Sequence, residues 1–442
     1  MQKSLRIGFA LCVLVGCGDD AATTPDSPTG NRPPPRAISG GGIGDGAIDG
    51  VVNLYVMDDA TRMPLANATV RVGTLDGTTD ATGLFVAEGV VGPQTVLAKL
   101  AGYRSEMWIG ANGANMTVSL KPDVDPTPAR AKLSGSITGF DQLTVPTGHR
   151  KAAIVTYSND DKAGDAANNI DTANATNICD AGTGMPCNFS ITTRTGTVAL
   201  IAIVYDHDTK NTLTPNDDTY TPITWAYKTG ISVAGGVDQT GIALSLVDAA
   251  DLANVIVDFG TPPAGMANIA AVIGIEVGSS GTMQLVPSFA TQSAPTVLAP
   301  KLSAISGATY RLTAIAQNGN TELDPGSFVL HRAQTSTSLG AGTWLGVPSG
   351  VTLTRTTASW TAVPGAALQG VEYDIDKTHH VLSITSFDGS TSATIPELLA
   401  LPSSPLVGRV TALQGTVDLM DFSVDDVLTK ITGFSAQPLQ IN

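Results

Sequence analysis

Short runs of β-branched and other apolar residues recur at intervals of about ten residues along most of this chain, separated by Gly, Asn, Asp and Pro. This spacing is typical of antiparallel sandwiches and barrels. Beyond the N-terminal segment, no long stretch repeats its apolar residues at the 3.6-residue period of an amphipathic helix. The sequence therefore predicts an all-β protein built from tandem antiparallel β-sandwich domains.

Composition narrows the class of protein. Of 442 residues, 42% are hydrophobic and 14% are charged, which is too apolar for a wholly disordered chain. The formal net charge is -15, and such a surface repels phosphate backbones. We therefore expect no nucleic-acid partner, whereas divalent cations are compatible with this charge.

The N-terminus has the pattern of an export signal. Lys3 and Arg6 precede the apolar run 7–15, which is far shorter than the roughly 20 residues of a membrane-spanning helix. The run ends in Leu14-Val15-Gly16-Cys17, which resembles the lipobox of bacterial lipoproteins. The resemblance implies cleavage before Cys17, lipidation of that residue and a membrane anchor. The alternative is an ordinary cleaved signal peptide in which Cys17 is incidental.

The predicted location is the bacterial cell envelope, outside the cytoplasm. By resemblance to enteric lipoproteins, Gly18 after the lipidated cysteine implies export to the outer membrane. Once Cys12 leaves with the signal and Cys17 carries lipid, Cys179 and Cys187 remain. An even pair in an exported chain predicts a disulfide, and a metal site built on these two cysteines is the weaker alternative.

Residues 49–121 contain the most specific domain pattern. Pro64-Leu65-Ala66-Asn67-Ala68 begins a strand, and Thr79-Asp80-Ala81-Thr82-Gly83-Leu84-Phe85 is a turn that leads into another strand. Both elements resemble the carboxypeptidase regulatory-like domain, a transthyretin-like sandwich. A turn at Gly83 favours positive φ, and Phe85 then points inward.

Residues 347–442 resemble a fibronectin type III module, with an early core Trp360 and a strand that ends before Pro396. The fold class is thus expected to be immunoglobulin-like or transthyretin-like throughout. The predicted divisions are a signal peptide 1–16, a flexible tether 17–48, a regulatory-like sandwich 49–121, a linker 122–131, a β-rich domain with the disulfide loop 132–250, a second β-rich domain 251–346, and the C-terminal module 347–442.

One acidic stretch has the spacing of a cation site. Counted from Asp206, the positions 1, 3, 7 and 12 of a calcium loop fall on Asp206, Asp208, Thr212 and Asp217. Lys210 at position 5 and Asn211 in place of the turn glycine depart from the pattern. The stretch predicts a structural calcium ion, and a solvated acidic turn is the alternative.

Signals for catalysis are missing from the sequence. It contains no Gly-x-Ser-x-Gly elbow, no phosphate-binding loop and no His-Glu-x-x-His pattern. We therefore expect a non-catalytic envelope protein for binding, adhesion or structure, with a protein or carbohydrate ligand. Two alternatives stay open, a glycan-processing surface enzyme with its site in 132–345 and a subunit of an envelope assembly. The four tryptophans are candidates for a sugar-binding platform, although one Trp per sandwich is typical of a core.

Overall fold

A computed structural model describes residues 34–127, 129–158, 178–181, 184–211, 218–285, 288–289, 296–319, 321 and 323–442. The described chain is all-β, as predicted, and its one α-helix is a single short segment. In these ranges no helix has the length and apolar character needed to cross a membrane. The signal peptide, Cys17, Thr212 and Asp217 lie outside the described residues.

The strands are numbered in chain order. The first part of the chain contains β1 Gly42–Gly44, β2 Asp49–Asp58, β3 Thr69–Val72, β4 Leu75–Thr78, β5 Leu84–Val91, β6 Gln94–Lys99, β7 Ser105–Ala111 and β8 Asn115–Leu120. The middle part contains β9 Arg130–Thr138, β10 Arg150–Tyr157, β11 Ile178–Ala181, β12 Cys187–Arg194, β13 Gly196–Asp208, β14 Thr219–Val233, β15 Gln239–Leu246, β16 Leu252–Asp258, β17 Asn268–Glu276, β18 Thr282–Gln284, β19 Ser288–Phe289, β20 Thr296–Pro300, β21 Thr309–Gln317, β22 Gly326–Gln334 and β23 Ser338–Gly340.

The last part contains β24 Ser349–Leu353, β25 Thr357–Thr361, β26 Leu368–Asp376, β27 His379–Ser386, β28 Ser392–Thr394, β29 Leu406–Gly415, β30 Phe422–Ser423, the helix α1 Val424–Lys430 and β31 Ile431–Ile441. Single 3₁₀ turns occupy Phe140–Gln142, Ala249–Asp251, Gly278–Ser280, Leu302–Ala304 and Glu397–Leu399.

The chain folds into two compact units. Unit 1 comprises Thr127–Glu322 and Val329–Trp344, and unit 2 comprises 34–126, Leu323–Phe328 and Leu345–Asn442. The grouping differs from the predicted divisions in two respects. The regions predicted as two middle domains belong to one unit, and the regions predicted as separate first and last sandwiches share the other. In sequence, unit 1 is an insertion within unit 2.

Unit 1 is organised around a sheet of seven strands in the order β11-β10-β13-β14-β15-β9-β12. Its central strand β13 is buried on both faces, since Val198, Leu200 and Ala202 line one apolar core and Ala199 and Ile201 line another. Side chains alternate between faces along a strand, so a strand covered on both sides needs an unbroken apolar run. That requirement explains the sequence from 198 to 204. The second core is completed by the sheet β20-β16-β23 and by strands β17, β18 and β21.

Unit 2 has three layers. Its longest sheet runs β31-β29-β26-β27-β7-β6-β3-β4, and it is continuous because β7 pairs in parallel with β27. One core packs between this sheet and the sheet β30-β1-β8-β2-β5, and a second packs against β24-β25-β28. The positive φ predicted for Gly83 is observed, at 73°. Phe85 packs against the core between these two sheets.

The end of the predicted tether is part of the fold. Ile38, Ile43 and Ile48 are buried, and β1 lies between β8 and β30. Gly42 permits this close approach, because a Cβ atom there would lie 1.9 Å from the carbonyl oxygen of Phe422. The ordered body therefore begins about ten residues earlier than the sequence predicts, near Ile38.

The predicted linker also adopts defined structure. Asp123 N donates to Gly102 O at 3.1 Å, and Asp125 N donates to Thr378 O at 3.0 Å. The prolines of this segment lack N–H donors, but the residues between them keep theirs and pair with unit 2. Residues 122–126 thus lie against unit 2, and β9 already begins at Arg130.

A polar row crosses the long sheet where its two halves meet. Cross-strand register places Arg409 opposite Glu372, Glu372 opposite Ser383, and Ser383 opposite Glu106. Arg104 reaches Glu106 at 2.7 Å and Glu372 at 3.6 Å. Burial nonetheless raises the pKa of Glu106 to about 7, since desolvation of its carboxylate outweighs the guanidinium of Arg104.

Glu106 should make the stability of unit 2 depend on pH. Because its pKa is higher in the folded chain than in the unfolded chain, its contribution is complete below about pH 4.5 and is lost as the pH rises through about 7. The free energy of unfolding should fall by at most on the order of 3 kcal/mol across that window. Chemical denaturation from pH 5 to pH 8 measures the slope. Glu106→Gln should reduce it, and Glu88→Gln, at an exposed glutamate of β5, should not.

Two buried tyrosines permit a matched stability test. Among the described residues the Tyr373 hydroxyl has no hydrogen-bond partner, although the side chain is fully buried. The Tyr310 hydroxyl, equally buried, donates to Pro300 O at 2.7 Å. Tyr373→Phe should therefore stabilise the protein by roughly 1 kcal/mol, and Tyr310→Phe should destabilise it by a similar amount. Calorimetric unfolding of both variants measures this difference, and equal shifts of the same sign would contradict it.

Candidate functional site

Two of the four residues predicted to bind calcium, Asp206 and Asp208, lie at the C-terminal end of β13. Asp206 and Asp208 are two positions apart on this strand, so both side chains leave the same face of the sheet. Antiparallel pairing with β10 on one side and β14 on the other brings His149 and Tyr220 to the same end. We refer to His149, Asp206, His207, Asp208, Asp218 and Tyr220 as the His-Asp cluster.

Both predicted carboxylates already have cationic or polar partners. His149 Nδ1 lies 2.7 Å from Asp206 Oδ1, and His149 Nε2 lies 3.7 Å from Asp208 Oδ2. Asp208 also accepts from the backbone N–H of Lys210 at 2.8 Å and from the Lys210 ammonium. Hydrogen bonds to Lys210 hold the pKa of Asp208 below its usual range. A bound cation would have to replace these partners.

The opposite face of the strand end is aromatic. His207 is buried, and its Nε2 lies 2.8 Å from Asp218 Oδ2. Its ring stacks on Tyr220 with centroids 4.2 Å apart and 11° between planes. Tyr205 meets Tyr220 edge-on at 5.9 Å. Tyr220 itself is 51% exposed, so the face of the strand end opposite Asp206 and Asp208 presents an aromatic ring stacked on His207.

The structure brings together only part of the predicted calcium set. Asp206 and Asp208 lie side by side, while Thr212 and Asp217 fall outside the described residues. Within the described ranges, no group of three or more His, Cys, Asp or Glu side chains has an arrangement suited to a metal ion. Calcium binding remains a prediction that rests on sequence spacing.

Sequence analysis missed His149, Asp218 and Tyr220 as members of the cluster. Asp218 and Tyr220 directly follow the acidic stretch, so their closeness in sequence was an available signal. His149 is 57 residues before Asp206 and arrives through β10–β13 pairing, which no local spacing reveals.

The tryptophans do not form an exposed platform. Trp108, Trp225, Trp344 and Trp360 are all buried in apolar cores. Trp225 Nε1 donates to Leu298 O at 3.1 Å, and Trp344 Nε1 donates to Phe259 O at 2.8 Å. The suggested sugar-binding role of these residues is therefore wrong, because their ring faces are occupied by core packing.

The predicted disulfide lies partly outside the described residues. Cys187 is the first residue of β12 and is fully buried. Cys179 belongs to β11, whose side chains are not among those described. The two strands are edges of the seven-stranded sheet that approach each other, so their backbones are near.

Comparisons with known proteins identify no family. No family model matches the chain, and no curated protein matches it. Among solved structures it is similar to the Bacillus anthracis TIE protein (10% identity, TM-score 0.14, covering 66% of this chain and 49% of that one). It is also similar to BcpA, the major pilin subunit of Bacillus cereus (10% identity, TM-score 0.15, covering 66% and 97%).

A third similarity is to a tetra-tandem repeat in the extending region of a large adhesion protein, with 12% identity, a TM-score of 0.13 and coverage of 89% and 99%. For the first of these three structures, the chain spans only about half of the length of the TIE protein. TM-scores this low carry no argument about the function of this chain.

The calcium prediction can be tested on the whole mature chain. If the acidic stretch binds calcium in the native state only, the thermal midpoint should be higher in millimolar calcium than in EDTA. At a calcium concentration a hundredfold above Kd, the free energy of unfolding should increase by about 2.7 kcal/mol. The rise should disappear in Asp206→Asn combined with Asp208→Asn. Asp258→Asn, at an exposed carboxylate on β16, is the matched control. An unchanged wild-type midpoint would rule out a calcium site that stabilises the fold.

Proposed function

We propose that this chain is a non-catalytic, lipid-anchored protein of the bacterial cell envelope, located outside the cytoplasm, whose β-sandwich units serve binding, adhesion or envelope structure. The observation that carries the proposal is the lipobox-like Leu14-Val15-Gly16-Cys17 in front of an all-β body. Two or more acyl chains on Cys17 would hold such a protein on a membrane permanently.

The composition and length of the segment between Cys17 and the folded body support a membrane-anchored body. Residues from Cys17 to Ala37 are rich in Pro, Gly, Thr, Ser and Asp, and the first buried side chain of the body is Ile38. A segment of about 20 residues, extended at up to 3.3–3.6 Å per residue, reaches at most about 70 Å. The body would thereby stand clear of the lipid headgroups, where a ligand or partner can approach it.

The outer membrane is the proposed destination, on the resemblance of Gly18 to the residue after the cysteine in enteric lipoproteins. A disulfide between Cys179 and Cys187 belongs to the same proposal, since both residues would face an oxidising compartment. The proximity of β11 and β12 supports this pairing, because a disulfide requires Cα atoms within about 7 Å.

Lipidation can be tested by expressing the full chain in a Gram-negative bacterium and determining the intact mass of the protein purified from the membrane fraction. We expect cleavage before Cys17 and the added mass of diacylglyceryl and acyl groups. The disulfide between Cys179 and Cys187 should appear as a loss of two hydrogens that chemical reduction restores. Cys17→Ser should abolish lipidation and release the protein from the membrane. Cys12→Ser, within the same signal, should leave both unchanged. An unmodified Cys17 would refute the anchor and leave the fold unaffected.

The His-Asp cluster favours one second candidate, a glycan-processing surface enzyme. The cluster lies in unit 1, within 132–345. It has two carboxylates, Asp206 and Asp208, on one face of the strand end and an exposed tyrosine ring on the other face, and both kinds of group occur in sugar-processing sites. Incubation of the purified chain with insoluble cell-wall glycan separates the two functions. A binding protein sediments with the glycan and releases no soluble reducing ends, whereas release that Asp206→Asn abolishes would favour the enzyme.

A further inference from the structure

His380 packs against residues 122–126, the segment through which the chain passes from unit 2 to unit 1. Its side chain is 3% exposed, at the second position of β27. Nδ1 is 2.8 Å from Asp374 Oδ1 on β26, and Nε2 is 3.3 Å from Asp125 Oδ1 in the segment 122–126. The imidazole therefore bridges two carboxylates that belong to distant parts of the sequence.

The same segment is held by backbone hydrogen bonds on both sides of the imidazole. His380 N donates to Asp123 O at 2.7 Å, and Asp125 N donates to Thr378 O at 3.0 Å. Val124 and His379 form an antiparallel bridge between them. Residues 122–126 thus lie on the start of β27 as a short added strand, which we call the docked segment.

Each segment that packs around His380 contributes a charged side chain. Asp374 on β26 also receives Arg409 from β29 at 3.4 Å. Lys121, just after β8, lies 3.0 Å from Asp125 and 3.5 Å from His380 Nε2. Arg409 also lies 3.7 Å from Glu372, so it is shared between two carboxylates, and protonation of the imidazole adds one positive charge to the group.

The hydrogen-bonding capacity of imidazole decides how many carboxylates it can hold. A neutral ring has one N–H, and it can donate to Asp374 or to Asp125 but not to both. A doubly protonated ring donates at both nitrogens, and each bond is then charge-assisted. When the neutral ring donates from Nδ1 to Asp374, Nε2 can only accept, and Asp125 keeps Lys121 as its side-chain partner.

We propose that His380 is a pH-dependent latch that holds the docked segment on unit 2 when protonated and loosens it when neutral. Imidazole gains its second proton as the pH falls, so the latch would be closed at the lower pH and looser at the higher pH. Loosening would free the chain directly ahead of unit 1. A protein exposed at a cell surface meets such changes of pH, so its mobility would respond to its surroundings.

Hydrogen exchange on the whole mature chain tests the latch. The readout is the protection of the amides of Asp123, Asp125 and His380, corrected for the intrinsic effect of pH, at pH 5.5 and pH 8.0. We expect roughly tenfold less protection at pH 8.0, which is the order of one hydrogen bond to a charged group. Amides of β29 serve as the reference, because an equal change there would indicate unfolding of the whole unit and would overturn the proposal.

Three variants make the test specific. His380→Gln should remove the pH dependence of the docked segment, and His379→Gln, at the exposed neighbour that pairs with Asp376, should retain it. If His380→Gln does not fold, Asp125→Asn removes one carboxylate and keeps the Asp374–His380 pair, and it should also abolish the dependence. Wild-type protection that is equal at the two pH values, or a dependence that survives Asp125→Asn, would overturn the latch.

Discussion

Unit 2 depends on the parallel pairing of β7 with β27. These strands come from the two ends of the chain, and their hydrogen bonds turn two smaller sheets into one. Without this pairing each half would expose a strand edge and leave the core around Trp108 and Phe387 incomplete. Because unit 1 is inserted between the halves, folding of unit 1 first would shorten the flexible chain that must close, which lowers the entropic cost of the pairing.

Polar side chains in unit 2 concentrate where separate segments meet. Asp425 on α1 accepts from Ser39 at 3.0 Å and from Arg62 at 3.3 Å, and so joins three distant parts of the chain. The Asn115 amide donates to Asp45 at 2.6 Å and accepts from Asn53 at 3.0 Å. Such polar contacts add little net stability, but a wrong arrangement of the segments would leave the buried Asn53 and Asn115 side chains unsatisfied. They therefore favour one arrangement of the segments over others.

Local pattern predicted the strands and the turns but not how the segments assemble. The unbroken apolar run 198–204 predicts a buried strand because both faces of β13 must be covered. Gly83 is identifiable because its turn needs positive φ. The segment 122–131 was predicted to be a linker, and the docking of its residues Asp123 and Asp125 depends on carbonyl groups of Gly102 and Thr378 that are distant in sequence. Division into two units likewise follows from long-range pairing.

The candidate site likewise depends on long-range pairing that the local sequence pattern does not predict. Spacing identified Asp206 and Asp208 as positions 1 and 3 of a calcium loop, whereas the structure places both on β13, where alternation along the strand puts them on one face. Spacing had no means of identifying His149, which reaches them across β10 and β13 and changes what they can do. Carboxylates that hold a histidine are weaker ligands for a hard cation than free ones, because binding must first break those contacts. A ligand that hydrogen bonds to these carboxylates would likewise meet His149 and Lys210 as existing partners.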